Sequence, residues 1–202
     1  KCLYFQYVDL LNIQTKTLYV SALIGDNNNS GTADSPIADI GTALDRTIND
    51  RVAKIILLPA IYQGPSNTNL QNKLQLHKDK ILIIKANETN NAVINCNFGF
   101  FLKENKSIAA NTSVMIAVSG FLVNHCSTLL SLQGSSIKSD STVVVSKIIL
   151  TDTSTSSSSF LQISSVGTVY LEHLQLHQYI VQVDADKVYV IDVNNTIVEV
   201  TP

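Results

Sequence analysis

Asp184 and Asp186, in the stretch VQVDADKVYV, share one face of an extended segment, because side chains alternate along a strand. Two carboxylates on one face are what glycoside hydrolysis requires, at a separation of about 5 to 9.5 Å. A polar turn between strands is the competing reading, and it is the one adopted. Lys138, Lys147 and Lys187 are the candidate bases. A lysine abstracts protons near neutral pH only when its surroundings lower its pKa, and a lone lysine on a strand is ordinarily solvated. His173 and His177, in EHLQLH, fall on one side of a strand with Gln175. Strand rise places the two about 13 Å apart, too far to share a metal. His77 and His125 stand in no cluster. DNNNSGTAD, residues 26–34, offers Asp26, Asp34 and Asn oxygens of the kind calcium takes, although an Asx-type turn is the expected reading. No catalytic residue, metal ligand or cofactor is assigned.

Three other sets of residues carry chemistry. Cys96 in VINC and Cys126 in VNHC occupy similar settings and are expected on successive turns of one structure. They read either as two buried thiols, the preferred reading because spacing alone does not make their Cβ atoms face each other, or as a disulfide, which an oxidising compartment would permit. Cys2 remains for an intermolecular bond or no bond. Asn28, Asn87, Asn105, Asn111 and Asn194 each begin an N-x-[ST] sequon. In a chain so rich in Asn, Ser and Thr, about three or four would arise by chance. The turn-like setting of Asn28, Asn87 and Asn105 is what favours glycans there. Tyr170, Tyr179 and Tyr189 are candidates for a sugar-contacting ladder on one face.

The elements that position these groups are strands. From about Lys54 onward, short segments such as KILIIKA, AVINCNFGFFL, STVVVSKIIL, GTVYLEHLQL and KVYVIDV alternate with Asn/Ser/Asp/Gly turns. STVVVSKIIL aligns with GTVYLEHLQL at an offset of 26, and weaker copies lie about 30 before and about 20 after. A strand repeat in the twenties without helices is the mark of a parallel β-helix, with a β-sandwich as the rival. The low-complexity TDTSTSSSSF, residues 151–160, reads as a long exposed turn able to carry O-linked sugars. One helix interrupts the pattern near residues 36–49. Ser35 is its expected N-cap and Pro36 its first residue, with Ile37, Ile40, Leu44 and Ile48 on one face. An amphipathic helix before a run of strands suits the covering of one end of a solenoid.

The 202 residues suffice for one domain, read as an extension over 1–16, a cap over 17–52 and rungs over 53–202. Charged residues are only 15% and the net charge is −2, which gives no reason to expect nucleic acid or an anionic membrane as partner. No apolar run approaches the roughly 18 residues of a membrane span. Lys1 in place of Met fits a processed chain or a fragment.

LYVS, GDNNNSGTADSPIADIGTALDR and AKIILLPAIYQG together resemble the opening of right-handed parallel β-helix proteins of the pectin-lyase-like class. In that class a YVS-type strand, an NSGT-type turn, a P-x-x-x-I capping helix and a first rung of the form i-x-L-x-P-G-x-Y-x-G recur. The likeness covers about residues 18–64, with Ala60 where the class has glycine. It implies an all-β fold, a right-handed parallel β-helix with one N-terminal capping helix, and leaves function open among polysaccharide lyases, hydrolases, adhesins and surface proteins. The hydrolase-type G-H-G and R-x-K patterns are missing, as are the Q-D and G-R-P-W patterns of esterases that share the fold. No arginine lies in the strand region to abstract a proton from a sugar. These absences argue against an enzyme. The expectation is an extracellular or cell-surface structural glycoprotein, the subunit of a filament or wall, that self-associates end to end. Its C-terminal end reads as uncapped, and residues 1–11 are expected to pair with a neighbouring subunit. The alternative is a polysaccharide-binding or polysaccharide-cleaving module, for which 6% aromatic residues and no Trp supply few stacking platforms.

Overall fold

The computed structural model describes residues 15–74, 79–104, 113–132, 140–151, 159–175, 180–191 and 197–200. Their secondary structure is strand apart from one short helix. In chain order the elements begin with β1 (Lys16–Val20), α1 (Ile40–Arg46), β2 (Val52–Leu57), β3 (Ala60–Gln63) and β4 (Leu70–Leu74). Next come β5 (Lys80–Ala86), β6 (Ala92–Asn95), β7 (Phe100–Glu104), β8 (Val114–Ser119), β9 (Leu122–Asn124) and β10 (Thr128–Leu132). The last are β11 (Thr142–Ser146), β12 (Ile149–Leu150), β13 (Ser159–Glu172), β14 (Ile180–Ile191) and β15 (Ile197–Val200).

Almost all of these strands pair in parallel, in three ladders. The first runs β1-β2-β5-β8-β11 and continues into the C-terminal half of β13 and then β14. The second is β3-β6-β9-β12. The third is β4-β7-β10 and the N-terminal half of β13. The chain therefore visits the ladders in a fixed order, β2-β3-β4, then β5-β6-β7, then β8-β9-β10. β13 passes from the third ladder to the first without a break and so joins them in one sheet. The sequence repeat falls into place here. Thr142 pairs with Thr168 and Val143 with Val169, the offset of 26 read from the sequence.

Register makes the core a set of aliphatic rows. Leu18, Ile55, Ile84, Val118, Val145 and Leu171 are successive partners across the first ladder, and each is buried. Alternation then points the residues between them outward. The turns leaving this ladder also repeat. Gly120, Lys147 and His173 have φ of 85°, 52° and 50°. Their N–H groups donate to the carbonyls of Ser146, Glu172 and Ile191 in the following strand, at 3.1, 2.9 and 2.9 Å. Only Gly120 adopts this left-handed conformation without steric cost, so repetition of the bond is what holds Lys147 and His173 there.

The helix starts later than the sequence suggests. Asp39, not Ser35, is the N-cap, and its carboxylate accepts from the Thr42 N–H at 2.7 Å. Residues 35–37 are occupied elsewhere. Ile37 donates to the Tyr19 carbonyl and accepts from Ser21, and so closes the outer edge of β1. That contact needs extended backbone, which keeps Pro36 and Ile37 out of the helix. Gly25 lets Ile37 approach, because a Cβ there would lie 2.3 Å from the Ile37 carbonyl oxygen. Ile40, Ala43 and Leu44 of α1 join the core.

Tyr62, fully buried on β3, ties this cap to the second ladder. Its hydroxyl lies 2.8 Å from the Val20 carbonyl and 2.7 Å from the Leu58 carbonyl. Burial pushes the hydroxyl pKa well above its ordinary value of 10.0. Tyr62→Phe removes both bonds, although the Val20 carbonyl still accepts from the Leu58 N–H, and is expected to cost about 1–2 kcal/mol at neutral pH, measured by urea unfolding. In the wild type the unfolded chain ionises this tyrosine above pH 10.0 while the folded chain keeps it protonated. Its contribution to stability is therefore present below that pH and is lost as pH rises through the folded pKa. Tyr62→Phe is expected to flatten that alkaline decline.

The C-terminal end also departs from expectation. It reads as uncapped in the sequence, but β15 turns back and pairs antiparallel with the last four residues of β14, Val188 opposite Val200 through Ile191 opposite Ile197. Residues 180–187 of β14 keep one edge without a strand partner among the described residues.

Candidate functional site

Tyr170 on β13 and Tyr189 on β14 are register partners, so their side chains leave the same face of the sheet. Their rings stack 5.1 Å apart and 13° from parallel. Tyr179, the third residue expected in this ladder, lies outside the described residues. Glu172 shares the outward face with Tyr170, between its partners Ser146 and Ile191. Burial raises its carboxyl pKa, against the pull of His173 and Lys147. Burial likewise raises that of the Tyr170 hydroxyl, with Tyr189 and Glu172 adding to the shift. Two phenols beside a partly desolvated carboxyl offer an aromatic surface with hydrogen-bonding groups at its rim, which is binding chemistry.

The other candidates are dispersed. Asp184 and Asp186 are both exposed, on either side of buried Ala185. Asp184 lines a shallow groove of about 390 Å³ with Gln162, Ile163, Val181 and Gln182. Lys147 and Lys187 are exposed, His125 lies with its ring 5.0 Å from that of Phe98, and His77, Lys138 and His177 fall outside the described residues. Asp26, Asn27 and Asn29 of the 26–34 turn are engaged in building it. Asp26 accepts from the Asn28 backbone and side chain at 2.7 and 3.0 Å, Asn27 donates to Asp39 at 2.5 Å, and Arg46 donates to the carbonyls of Asn27 and Asn29. Among the described residues no three His, Cys, Asp or Glu side chains are placed to hold a metal ion.

Cys96 and Cys126 form a disulfide with Cα atoms 4.7 Å apart, in place of the two separate thiols preferred from sequence. Strand pairing explains the difference. Asn95 lies opposite Asn124 at the ends of β6 and β9, and the cysteines that follow are both turned into the core. Cys2 lies outside the described residues, as do the sequons at Asn105, Asn111 and Asn194. Asn28 and Asn87 are exposed in turns.

Two features have no marker in the sequence. Lys80 is only 3% exposed, and its ammonium donates to the Thr47 and Asp50 carbonyls at 2.5 and 2.7 Å, just beyond α1. Burial lowers its pKa, with Lys16 adding to the shift and Asp50 opposing it. In KILIIKA it reads as an ordinary strand-edge lysine, because the carbonyls it holds lie about 30 residues away. The second is an apolar patch near the capped end. Leu23, Ile24 and Ile61 are 78%, 69% and 59% exposed. Leu23 and Ile61 line a groove of about 440 Å³ with Ala22, Ala60, Asn91 and Val93.

No protein-family model, curated protein or solved structure matches the chain.

Proposed function

We propose that the three ladders wind as one right-handed parallel β-helix of the pectin-lyase-like kind, and that the protein is a non-catalytic structural glycoprotein of a cell surface, wall or extracellular filament. The observation that carries the winding is the cyclic visiting order β2-β3-β4, β5-β6-β7, β8-β9-β10 with in-register rows. Right-handed crossovers between parallel strands are the overwhelming rule. The disulfide supports an oxidising compartment, and the exposed sequons at Asn28 and Asn87 support glycosylation there.

In this reading the two ends differ in a way that suits head-to-tail assembly. One is closed by α1 and Ile37 and has the apolar groove of Leu23 and Ile61 beside it. The other presents the edge of residues 180–187, which has no strand partner among the described residues. Contacts between unlike surfaces build open filaments. Negative-stain electron microscopy of the purified full-length protein is expected to show filaments with a regular axial repeat. Gln182→Lys, which places a charge on that edge at an exposed position, is expected to shorten or abolish them. Isolated short rods in the wild type would overturn the filament reading. They would favour the second one, binding of acidic polysaccharide at the stacked Tyr170 and Tyr189.

A further inference from the structure

The outward face of the second ladder is apolar and open to water. Register places Ile61, Val93, Leu122 and Ile149 in one row across β3, β6, β9 and β12. Their neighbours Tyr62, Ile94, Val123 and Leu150 are buried in the core, so alternation points this row outward. Ile61 is 59% exposed and the other three are half-buried. Leu23, 78% exposed, extends the row at the capped end, where it lines the same groove as Ile61 and Val93. Single apolar residues scattered over a surface are ordinary, but a contiguous aliphatic row marks a contact surface.

The chemistry around the row fits a copy of itself. The neighbouring outward row is polar and uncharged: Gln63, Asn95 and Asn124 are register partners two residues on, and Thr151 follows β12. An amide both donates and accepts, so a row of amides complements its own copy. Charges of opposite sign stand at the two ends of the strand-entry side. Glu88 precedes β6 and accepts from Asn91 Nδ2 at 2.6 Å, Lys147 precedes β12, and both are exposed. A two-fold axis along the strand direction, between β6 and β9, reverses the order of the ladder. It sets Val93 against Leu122 of a second copy, Ile61 against Ile149 and Asn95 against Asn124, and brings Glu88 toward Lys147. The face is small. Four strands of two to four residues offer roughly 14 by 13 Å at sheet spacing and strand rise. That is well below the roughly 800 Å² per partner of a stable complex, so a single pair is weak and reversible.

We propose that two copies of this chain pair face to face through the outward sides of their second ladders, about this two-fold axis. The face is a flank of the ladder stack and not its end, so the pairing stands whether or not filaments form. Where they form, the row recurs along each filament, and repeated weak contacts add up to join filaments side by side.

The test uses the full-length chain with Cys2→Ser, which leaves only the buried disulfide of Cys96 and Cys126. One preparation carries Val93→Cys and a second Leu122→Cys, and the two are mixed in equal amounts with a mild thiol oxidant. The mixed disulfide-linked dimer is expected to exceed either like-with-like dimer about tenfold or more, against about twofold from random collision. Ile149→Lys in both preparations is expected to remove the excess, with its urea unfolding midpoint compared with the parent's. Glu88→Lys, in an exposed turn, is the second variant. It is expected to lower the yield of mixed dimer, and Lys147→Glu added to it to restore that yield. A ratio at the random value in the parent mixture would overturn the proposal. A preference for like-with-like linkage would also overturn it, by showing the two ladders aligned in the same order. An excess that neither Ile149→Lys nor Glu88→Lys lowers would overturn the assignment of the contact to this face.

Discussion

Phe121→Ala is expected to lower the unfolding free energy by about 3–5 kcal/mol, among the largest losses open to a single substitution in this chain. Phe121 is fully buried and follows Gly120 at the turn from the first ladder to the second. Its ring meets that of Phe101, on the third ladder, edge to face at 5.9 Å and 74°. The pair thus fills the space between strands that share no hydrogen bonds, and truncation leaves a cavity that rigid ladders cannot close. Folded domains are stable by about 5–15 kcal/mol, so the loss is a large share of the total. Urea unfolding measures it. Phe98→Ala, at a ring 58% exposed, is the control and is expected to cost far less. Equal losses at the two positions would mean that Phe121 does not anchor the core as described. A double-mutant cycle with Phe101→Ala is expected to return a coupling of about 0.5–1.5 kcal/mol for the ring pair.

Removing the disulfide should rank close behind. Cys96 and Cys126 are 30 residues apart in sequence, and closing a loop of that size in the unfolded chain is worth about 3–4 kcal/mol in the chain-entropy view. Cys96→Ala with Cys126→Ala is expected to lose that amount. The wild type is expected to fall to the same unfolding midpoint once reduced, while the double variant ignores the reductant. A wild type indifferent to reduction would show that the bridge adds no stability. The bond lies between β6 and β9, and the second ladder is built from strands of only two to four residues. Few hydrogen bonds hold such short strands together, so the covalent link matters more there than it would in the first ladder.

What was legible in the sequence was whatever neighbouring residues decide. Alternation and β-branched composition marked the strands from β2 to β15 apart from β4, whose LQNKL carries neither signal. The 26-residue offset matched the pairing of β11 with β13, because in-register stacking requires like residues at like positions. Tyr170 and Tyr189 were recognisable as a potential ladder for the same reason, and they stack. The polar 26–34 turn was visible from its Asn, Ser and Gly, and Asp26 and Asn27 brace it and the helix cap.

Contacts between distant parts of the chain were decided by the tertiary structure alone. The helix start moved to Asp39 because Ile37 is drawn into the edge of β1, a competition that the capping signal at Ser35 does not register. The cysteines paired because β6 and β9 stack with their ends aligned. Lys80 found helix-end carbonyls about 30 residues back, and β15 reversed direction to meet β14. Outward-facing Ile83 and Val144 look like inward-facing neighbours in a run such as ILII or VVV, since hydrophobicity records burial but not the side on which it occurs. Period and propensity act over a few residues, whereas these outcomes depend on which strands the winding of the chain brings side by side.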